Sequence, residues 1–203
     1  MPDTIVSGLT SLDFRNTGDE PHHIQLLRLN ENVTFEQFTT ALAQGEGPAL
    51  ALVSMDGGVG QIVRGGAAES IVNLRPGSYA AICFVPSPDG VPHFVKGMVK
   101  PIRVTAAPAG AIPAAAPQVA GTVIMRDFSY DMPSTLSAGR TVYRVLNEGP
   151  QQPHETNIVK LENGKTLADV TNFVKAPAAA GGPPPFTPVG GMQGLSVNAS
   201  NFI

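Results

Sequence analysis

One part of this 203-residue chain brings together side chains with soft donor atoms. Cys83, the only cysteine, ends an apolar stretch, and His93 and Met98 follow it in the order C-x9-H-x4-M. Thiolate, imidazole and thioether groups are ligands that suit copper. A further imidazole would have to come from a distant segment, and the adjacent His22 and His23 are both available for it. The question is whether the fold supplies a scaffold that holds these side chains around one ion.

Each of these residues also has an ordinary structural interpretation. A lone cysteine such as Cys83 is more often a small buried hydrophobe than a ligand. Met98 taken alone would fill the core. His93 follows Asp89 and Pro92 in a turn-forming stretch, where an exposed, solvated histidine is the default expectation. The metal interpretation therefore depends on a scaffold that brings the donor atoms together.

The composition favours a β-rich protein. Charged residues make up only 14% of the chain, which has 22 glycines, 19 prolines and no tryptophan. This mixture is typical of short strands joined by tight turns. The net charge of -3 and the scattered 13 Lys and Arg residues give no basic patch for nucleic acid. No apolar run approaches the ~18 residues of a membrane helix, and the residues after Met1 are not expected to form a signal segment.

Local patterns predict mainly strands and one short helix. Thr34 is placed as the N-cap of a helix, with Phe35, Phe38 and Leu42 at helical spacing. The stretches around residues 56–60 and 64–68 are rich in glycine and are interpreted as loops. Strands are predicted at residues 4–14 (in two pieces around Gly8), 22–29, 69–73, 79–83, 122–125 and 141–146, with one more through Ile102 and Val104.

The chain contains an internal repeat. The motif N-x-G-x-x-P-H at 16–22 returns as N-x-G-x-x-x-P-H at 147–154, and the diglycine at 57–58 returns at 190–191. Residues 106–120 are a Pro/Ala linker with few large apolar groups. We therefore predict one domain at 1–105 that lacks its first strand, and a partial second copy at 121–203 that lacks a Cys/His/Met segment.

Two explanations fit the register of the repeat. The chain is expected to be a window cut from a tandem array. Alternatively, residues 121–203 lend their first strand to the other copy, within one chain or across a dimer.

With these motifs the chain resembles the cupredoxin family, the small blue copper proteins typified by plastocyanin. That family carries N-x-G-x-P-H near its first ligand, then L-x-P-G-x-Y-x-x-x-C, then H-x4-M. The resemblance implies an all-β fold, an antiparallel Greek-key β-sandwich, here with a short helix after the first histidine strand. The matching residues are Asn16, Gly18, Pro21 and His22, then Leu74, Pro76, Gly77, Tyr79 and Cys83, then His93 and Met98.

The resemblance also assigns the ligands. His22 is preferred over His23 because it follows Pro21 as the family's ligand does, and because the second copy keeps His154 at that position. His23 is then expected at the surface. His154 is expected to have a structural role, with ligands borrowed from elsewhere as the other option. The implied site is one type 1 copper held by His22, Cys83 and His93, with Met98 axial.

The function implied is one-electron transfer with a redox protein partner, through an exposed edge of His93. Cys83 lies between Ile82 and Phe84, so the H-C-H motif that connects a trinuclear copper cluster is absent, and no enzymatic activity is expected. The resemblance implies an extracytoplasmic location. The alternative is a metal-free, cupredoxin-shaped module that serves a structural or partner-binding role in a larger envelope protein.

Overall fold

The computed structural model describes residues 1–176 and 182–203. Strands dominate this part of the chain, and the helices are short. The helices are α1 (Phe35–Gln44), α2 (Glu46–Leu50) and α3 (Leu167–Lys175). The strands are β1 (Thr4–Val6), β2 (Gly8–Arg15), β3 (His22–Leu29), β4 (Val53–Ile62), β5 (Ala67–Leu74), β6 (Gly77–Ile82), β7 (Val99–Thr105), β8 (Gly121–Arg126), β9 (Ser129–Asp131), β10 (Tyr143–Asn147), β11 (His154–Leu161), β12 (Phe186–Leu195) and β13 (Ser200–Phe202).

The strands form a sandwich of two mixed sheets. The first sheet has seven strands in the order β1-β7-β6-β3-β4-β12-β11, and the second has six in the order β2-β5-β13-β10-β8-β9. Most neighbouring strands are antiparallel, but β1 pairs with β7 and β8 pairs with β10 in parallel. The predicted mostly-β sandwich is confirmed, whereas a purely antiparallel arrangement is not.

The predicted helix after β3 is confirmed, and its start is set by a capping box. The Thr34 side chain accepts a hydrogen bond from the Gln37 N–H, and the Gln37 side chain accepts one from the Thr34 N–H. These bonds satisfy donors that the first turn leaves free. Phe38 and Leu42 then point to the core. Among the described residues, no helix is long and apolar enough to cross a membrane.

The seven-stranded sheet is covered on both faces around β6. Tyr79 packs between the two sheets with residues such as Leu12 and Val72. On the opposite face, Ala80 and Ile82 pack with the apolar side chains of α1. This alternation follows from the period-two geometry of a strand. It places the end of β6, and hence Cys83, inside the protein.

The repeat is visible in the hydrogen bonds of the two asparagines. Asn16 donates from its side-chain amide to the carbonyls of Glu20 and Ile62. Asn147 donates in the same way to the carbonyls of Gln152 and Leu195. In each copy the asparagine Oδ1 accepts the N–H two residues later, from Gly18 or Gly149. The N-x-G motif is therefore one turn structure used twice.

Strands from both halves of the chain share each sheet. In the first sheet Val59 of β4 lies opposite Met192 of β12, and in the second Ile71 of β5 lies opposite Phe202 of β13. Each pair joins residues at matching positions of the repeat, so the halves are related by an approximate two-fold axis through these pairs. The boundaries 1–105, 106–120 and 121–203 remain a prediction. Residues 106–120 contain no helix or strand, and nearly all are exposed.

The glycine-rich stretch at 56–60 lies inside β4, so its prediction as a loop is wrong. Gly58 has φ +145°, and a Cβ there would lie 1.9 Å from the Ile24 carbonyl oxygen. Gly191 has φ +122° and the same relation to the Thr156 carbonyl oxygen, at 2.0 Å. The glycines allow β3 and β11 to approach β4 and β12 closely, beside irregularities in the strand register.

Candidate metal centre

The site lies where β3 begins and β6 ends. His22 is the first residue of β3, and Cys83 directly follows β6, which pairs antiparallel with β3. The long connection from Cys83 to β7 folds back over this end of the sheet. The Cys83 N–H donates to the Met98 carbonyl at 3.1 Å, and the Met98 N–H donates to the His93 carbonyl at 2.9 Å. Main-chain bonds thus hold the loop residues in place.

Three of the four predicted ligands bring their donor atoms together. His22 Nδ1 lies 2.9 Å from His93 Nδ1, and Cys83 Sγ lies 3.5 Å from the same His93 Nδ1. All three donor atoms lie within 4.8 Å of one another. Cys83 is fully buried and His93 is 5% exposed, whereas His22 is partly exposed. The chain therefore contains a largely buried His–Cys–His group that could hold a metal.

Two of the three donor separations are close to those that a bound ion requires. Metal bonds of about 2.0 Å to imidazole nitrogen and about 2.3 Å to sulfur would set the two ring nitrogens roughly 3.5 Å apart. The observed 2.9 Å separation of His22 Nδ1 and His93 Nδ1 would have to widen by about half an ångström. The 3.5 Å contact between Cys83 Sγ and His93 Nδ1 is already near that spacing. These residues fit a metal by donor type and position.

Glu20, in the turn before β3, is also part of this site, and none of the sequence motifs indicated it. Its Oε2 lies 2.7 Å from His93 Nε2. An ionised carboxylate there accepts the Nε2–H proton, which leaves the His93 Nδ1 lone pair facing His22 and Cys83. The hydrogen bond from His93 also holds the pKa of Glu20 below its ordinary value. Glu20 therefore orients the His93 ring, in the way that carboxylates orient histidine ligands of metals.

The N-x-G motif explains why the His22 ring fits. The Asn16 side chain closes the turn before β3, as described above. A Cβ at Gly18 would lie 3.0 Å from His22 Nε2, so the missing side chain at Gly18 leaves room for the ring. Burial, and then the neighbouring His93, lower the pKa of His22.

The Cys83 thiol is in a site that favours its neutral form when no metal is bound. Burial raises its pKa, and the main-chain N–H groups of His23 and Val85 partly offset this by stabilising the thiolate. A metal ligand must be the thiolate. Binding of a metal at Cys83 would therefore release a proton, and the two N–H groups lie where they favour the charged sulfur.

His23 is buried, so the prediction of a surface position is wrong. It is 9% exposed, and its Nε2 accepts a hydrogen bond from the Phe84 N–H at 2.9 Å. The ring also lies against the Phe84 ring, with centroids 6.2 Å apart. His23 thus fixes the residue that follows Cys83, and it is not among the three side chains whose donor atoms converge.

The burial of His23 predicts a loss of stability in acid. Burial lowers its pKa from 6.5 to about 4 in the folded protein. In the unfolded chain His23 therefore becomes protonated below about pH 6.5. In the folded protein the same side chain stays neutral until the pH falls to about 4. Stability from this residue is complete above pH 6.5 and decreases as the pH falls. At pH 5 we expect metal-free protein to lose about 2 kcal/mol relative to pH 8 through His23 alone.

Urea unfolding of metal-free wild type and of His23→Gln at both pH values measures this loss. Glutamine keeps a hydrogen-bond acceptor but does not titrate, so the difference between the two proteins isolates His23 from the other histidines. Parallel pH curves for the two proteins would contradict the prediction.

The two remaining residues considered from the sequence, Met98 and His154, lie in different parts of the structure. Met98 is partly buried, and its main chain is bonded to both Cys83 and His93. His154 lies at the start of β11, where its Nε2 is 2.8 Å from Asp127 Oδ1. This contact agrees with the structural role expected for His154.

Comparison with known proteins adds no family assignment: no family model and no curated protein matches this chain. The chain is a mostly-β sandwich of two mixed sheets with a buried group of His22, Cys83 and His93 that could hold a metal.

Proposed function

We propose that this protein binds one copper ion at a type 1 site and transfers single electrons. His22, Cys83 and His93 would hold the ion, with Met98 as a weak fourth donor. The observation that carries the proposal is the convergence of two Nδ1 atoms and one thiol sulfur within 4.8 Å. Two imidazoles and one thiolate, with a nearby thioether, are the donor set of blue-copper electron-transfer sites.

Copper, when bound, would supply the exchange of one electron, and the chain's own residues would hold its surroundings fixed. The loop that carries His93 is bonded through its main chain to Val85 and Cys83 on one strand end. Glu20 orients the His93 ring, and the Asn16 turn positions His22. Because these contacts do not depend on the charge of the ion, the ligands can keep one geometry in both oxidation states.

The proposal also covers the fold family of the chain, its role as an electron carrier and its cellular location. We assign the chain to the cupredoxin-like Greek-key sandwiches, acting as an electron carrier with a redox protein partner rather than as an enzyme. The residues beside Cys83, Ile82 and Phe84, cannot connect the site to a trinuclear copper cluster. The same resemblance supports an extracytoplasmic location.

The route for electrons differs from the sequence-based expectation. His93 is only 5% exposed, and Glu20 lies against its Nε2. The prediction that an edge of the His93 ring is exposed to a partner is therefore wrong. His22 is the more exposed of the two rings. We therefore place the electron port at His22, next to the turn that contains Gly18.

One observation favours the alternative function, a metal-free structural or partner-binding module. The donor atoms already contact one another: His22 with His93, and His93 with Cys83. Among the described residues, no buried side-chain nitrogen or oxygen lacks a hydrogen-bond partner. The group can thus be stable without an ion, and only metal binding separates the two functions.

Copper addition to metal-free protein tests the proposal. We expect one copper per chain and an intense visible absorption from charge transfer between the Cys83 thiolate and copper. Cys83→Ser should remove that absorption, and its far-UV circular dichroism should match wild type. If no copper binds with this stoichiometry, or if the absorption survives in Cys83→Ser, the metal-free module is the better account.

Loss of Glu20 should weaken metal binding without destroying the site. Removing an outer-shell partner of a ligand typically costs about 10- to 100-fold in metal affinity. We expect Glu20→Ala to bind copper at least about tenfold more weakly, measured by competition with a chelator. The matched control is Asp19→Ala, since Asp19 is the adjacent exposed carboxylate and pairs with Arg64 instead. Equal affinities for the two variants would contradict the role of Glu20.

A further inference from the structure

A cavity of about 420 Å³ opens on the helix-covered face of the seven-stranded sheet. Residues of α2 and of the start of β11 line it, so both halves of the chain contribute to its walls. Its volume is in the range of small-molecule sites. Two glutamines, two glutamates and two apolar side chains decide its chemistry: Gln25, Gln193, Glu46, Glu155, Met55 and Phe84.

Gln193 of β12 is buried without an internal partner for its side chain. The residue is only 3% exposed, and its side-chain amide forms no hydrogen bond with another described residue. Every fully enclosed side-chain nitrogen or oxygen in the described part of the chain does have a partner. The Gln193 amide must therefore reach the cavity, which it lines. Because an unbonded buried amide costs free energy, this position favours a ligand that bonds to it.

Gln25 of β3 presents a hydrogen-bond acceptor to the same cavity. Its Nε2 donates to the carbonyls of Leu26, Gly57 and Gly194. Its Oε1 lies 3.0 Å from the position that a Cβ on Gly194 would occupy. The same Cβ would lie 2.6 Å from Met55 Sδ. The missing side chain at Gly194 therefore keeps this part of the cavity open beside the Gln25 oxygen.

The charge around the cavity is negative. Glu46 and Glu155 are exposed lining residues, and the lining includes no lysine or arginine. The two lining histidines add no net positive charge. His23 accepts a hydrogen bond at Nε2 and is therefore neutral, and His154 faces the carboxylate of Asp127. Amide oxygens together with two carboxylates favour a cation that donates hydrogen bonds.

We propose that this cavity binds a small organic ammonium compound, a primary amine with a short apolar or aromatic body. An ammonium group offers three N–H donors and no acceptor, which matches the oxygens of Gln25, Gln193 and the two glutamates. The apolar body would lie against Met55 and Phe84. A thioether and an aromatic ring both make favourable contacts with an aromatic group.

Titration of the full metal-free chain with phenethylamine, followed by heteronuclear NMR, tests this proposal. We expect saturable shifts of the side-chain amide signals of Gln25 and Gln193. Phenethyl alcohol has the same aromatic body without the charge, and it should bind at least about tenfold more weakly because hydrogen bonds from charged donors are stronger. Phenylacetate, which has the opposite charge, should not bind. Since no copper is present, this result does not depend on the proposed metal function.

Gln193→Leu separates a ligand-binding role from a structural one. Leucine has a similar volume and removes an amide that has no internal partner, so the free variant should resist urea at least as well as wild type. Its affinity for phenethylamine should fall at least about tenfold.

Glu155→Gln should weaken phenethylamine binding about threefold, because the carboxylate is exposed and its attraction is screened. The matched control is Glu31→Gln. Glu31 is an exposed glutamate in the turn after β3 and does not line the cavity, so the affinity should not change.

Three results would overturn the proposal. The first is the absence of saturable shifts at Gln25 and Gln193, which would leave the cavity to water. The second is equal affinity for phenethylamine and phenethyl alcohol, which would exclude a site for cations. The third is a Gln193→Leu variant that is less stable than wild type and still binds the amine normally, which would make Gln193 structural.

Discussion

Replacing His22 by alanine is expected to remove the visible absorption of the copper-loaded protein, whereas replacing His154 by alanine leaves it unchanged. The two histidines hold the same position in the repeat, each at the start of its strand. Only His22 has its Nδ1 beside His93 and within reach of Cys83. His154 contacts Asp127 instead.

The size of the effect follows from the number of strong ligands. Loss of one of the three ligands should lower the affinity for copper by more than roughly 10- to 100-fold. That range is the usual cost of losing a residue that only orients a ligand. Chelator competition and the absorption spectrum measure the two parts of this prediction. His23→Gln is a second control. In wild type the Nε2 of His23 accepts the Phe84 N–H and does not face His22, Cys83 and His93. Loss of absorption in His154→Ala, or its persistence in His22→Ala, would contradict the assignment of His22.

Gly58→Ala is expected to be the most destabilising of the substitutions considered. The new Cβ would lie 1.9 Å from the Ile24 carbonyl oxygen, and residue 58 has φ +145°. Neither the strand main chain nor the dihedral can relax without breaking pairing between β3 and β4. Backbone strain of this kind, added to the steric overlap, should lower the free energy of unfolding by at least about 3 kcal/mol. Denaturant unfolding of metal-free protein measures it.

Gly47→Ala is the matched control for this prediction. Gly47 lies in α2, and apart from its chain neighbours and the helix backbone a Cβ there would meet no atom within 4 Å. Alanine should therefore change the free energy of unfolding by less than about 1 kcal/mol, because the clash of its Cβ with the following Pro48 offsets the gain in helix propensity. Gly191→Ala should resemble Gly58→Ala, since its Cβ would lie 2.0 Å from the Thr156 carbonyl oxygen. Equal stabilities of Gly58→Ala and Gly47→Ala would show that β3 and β4 are not this close in solution.

Local sequence patterns were sufficient for features that depend on near neighbours. The N-cap at Thr34 and the helix that follows depend on contacts within one turn, and both are as predicted. The bounds of β3, residues 22–29, also agree with the pattern. The turn formed by Asn16 and Gly18 is local as well, which is why the same motif is recognisable in both halves of the chain.

Features that depend on distant segments were not predictable in the same way. The glycines at 57–60 have the composition of a loop, but they lie in β4 because another strand crosses closely there. His23 is buried where the chain after β6 passes beside it, and its Nε2 accepts the N–H of Phe84, a residue far along the chain. No local pattern carries this information, since the partner is set by how the sheet is assembled.

The candidate site shows both kinds of information together. The sequence alone determined which donor types are present and their order, because Cys83, His93 and Met98 share one loop and His22 follows a recognisable turn. Only the tertiary structure decided that His22 and His93 meet at 2.9 Å and that Glu20 lies against His93 Nε2. These contacts join β3, the end of β6 and the turn before β3. Their distances result from antiparallel pairing between strands, which sequence spacing does not encode.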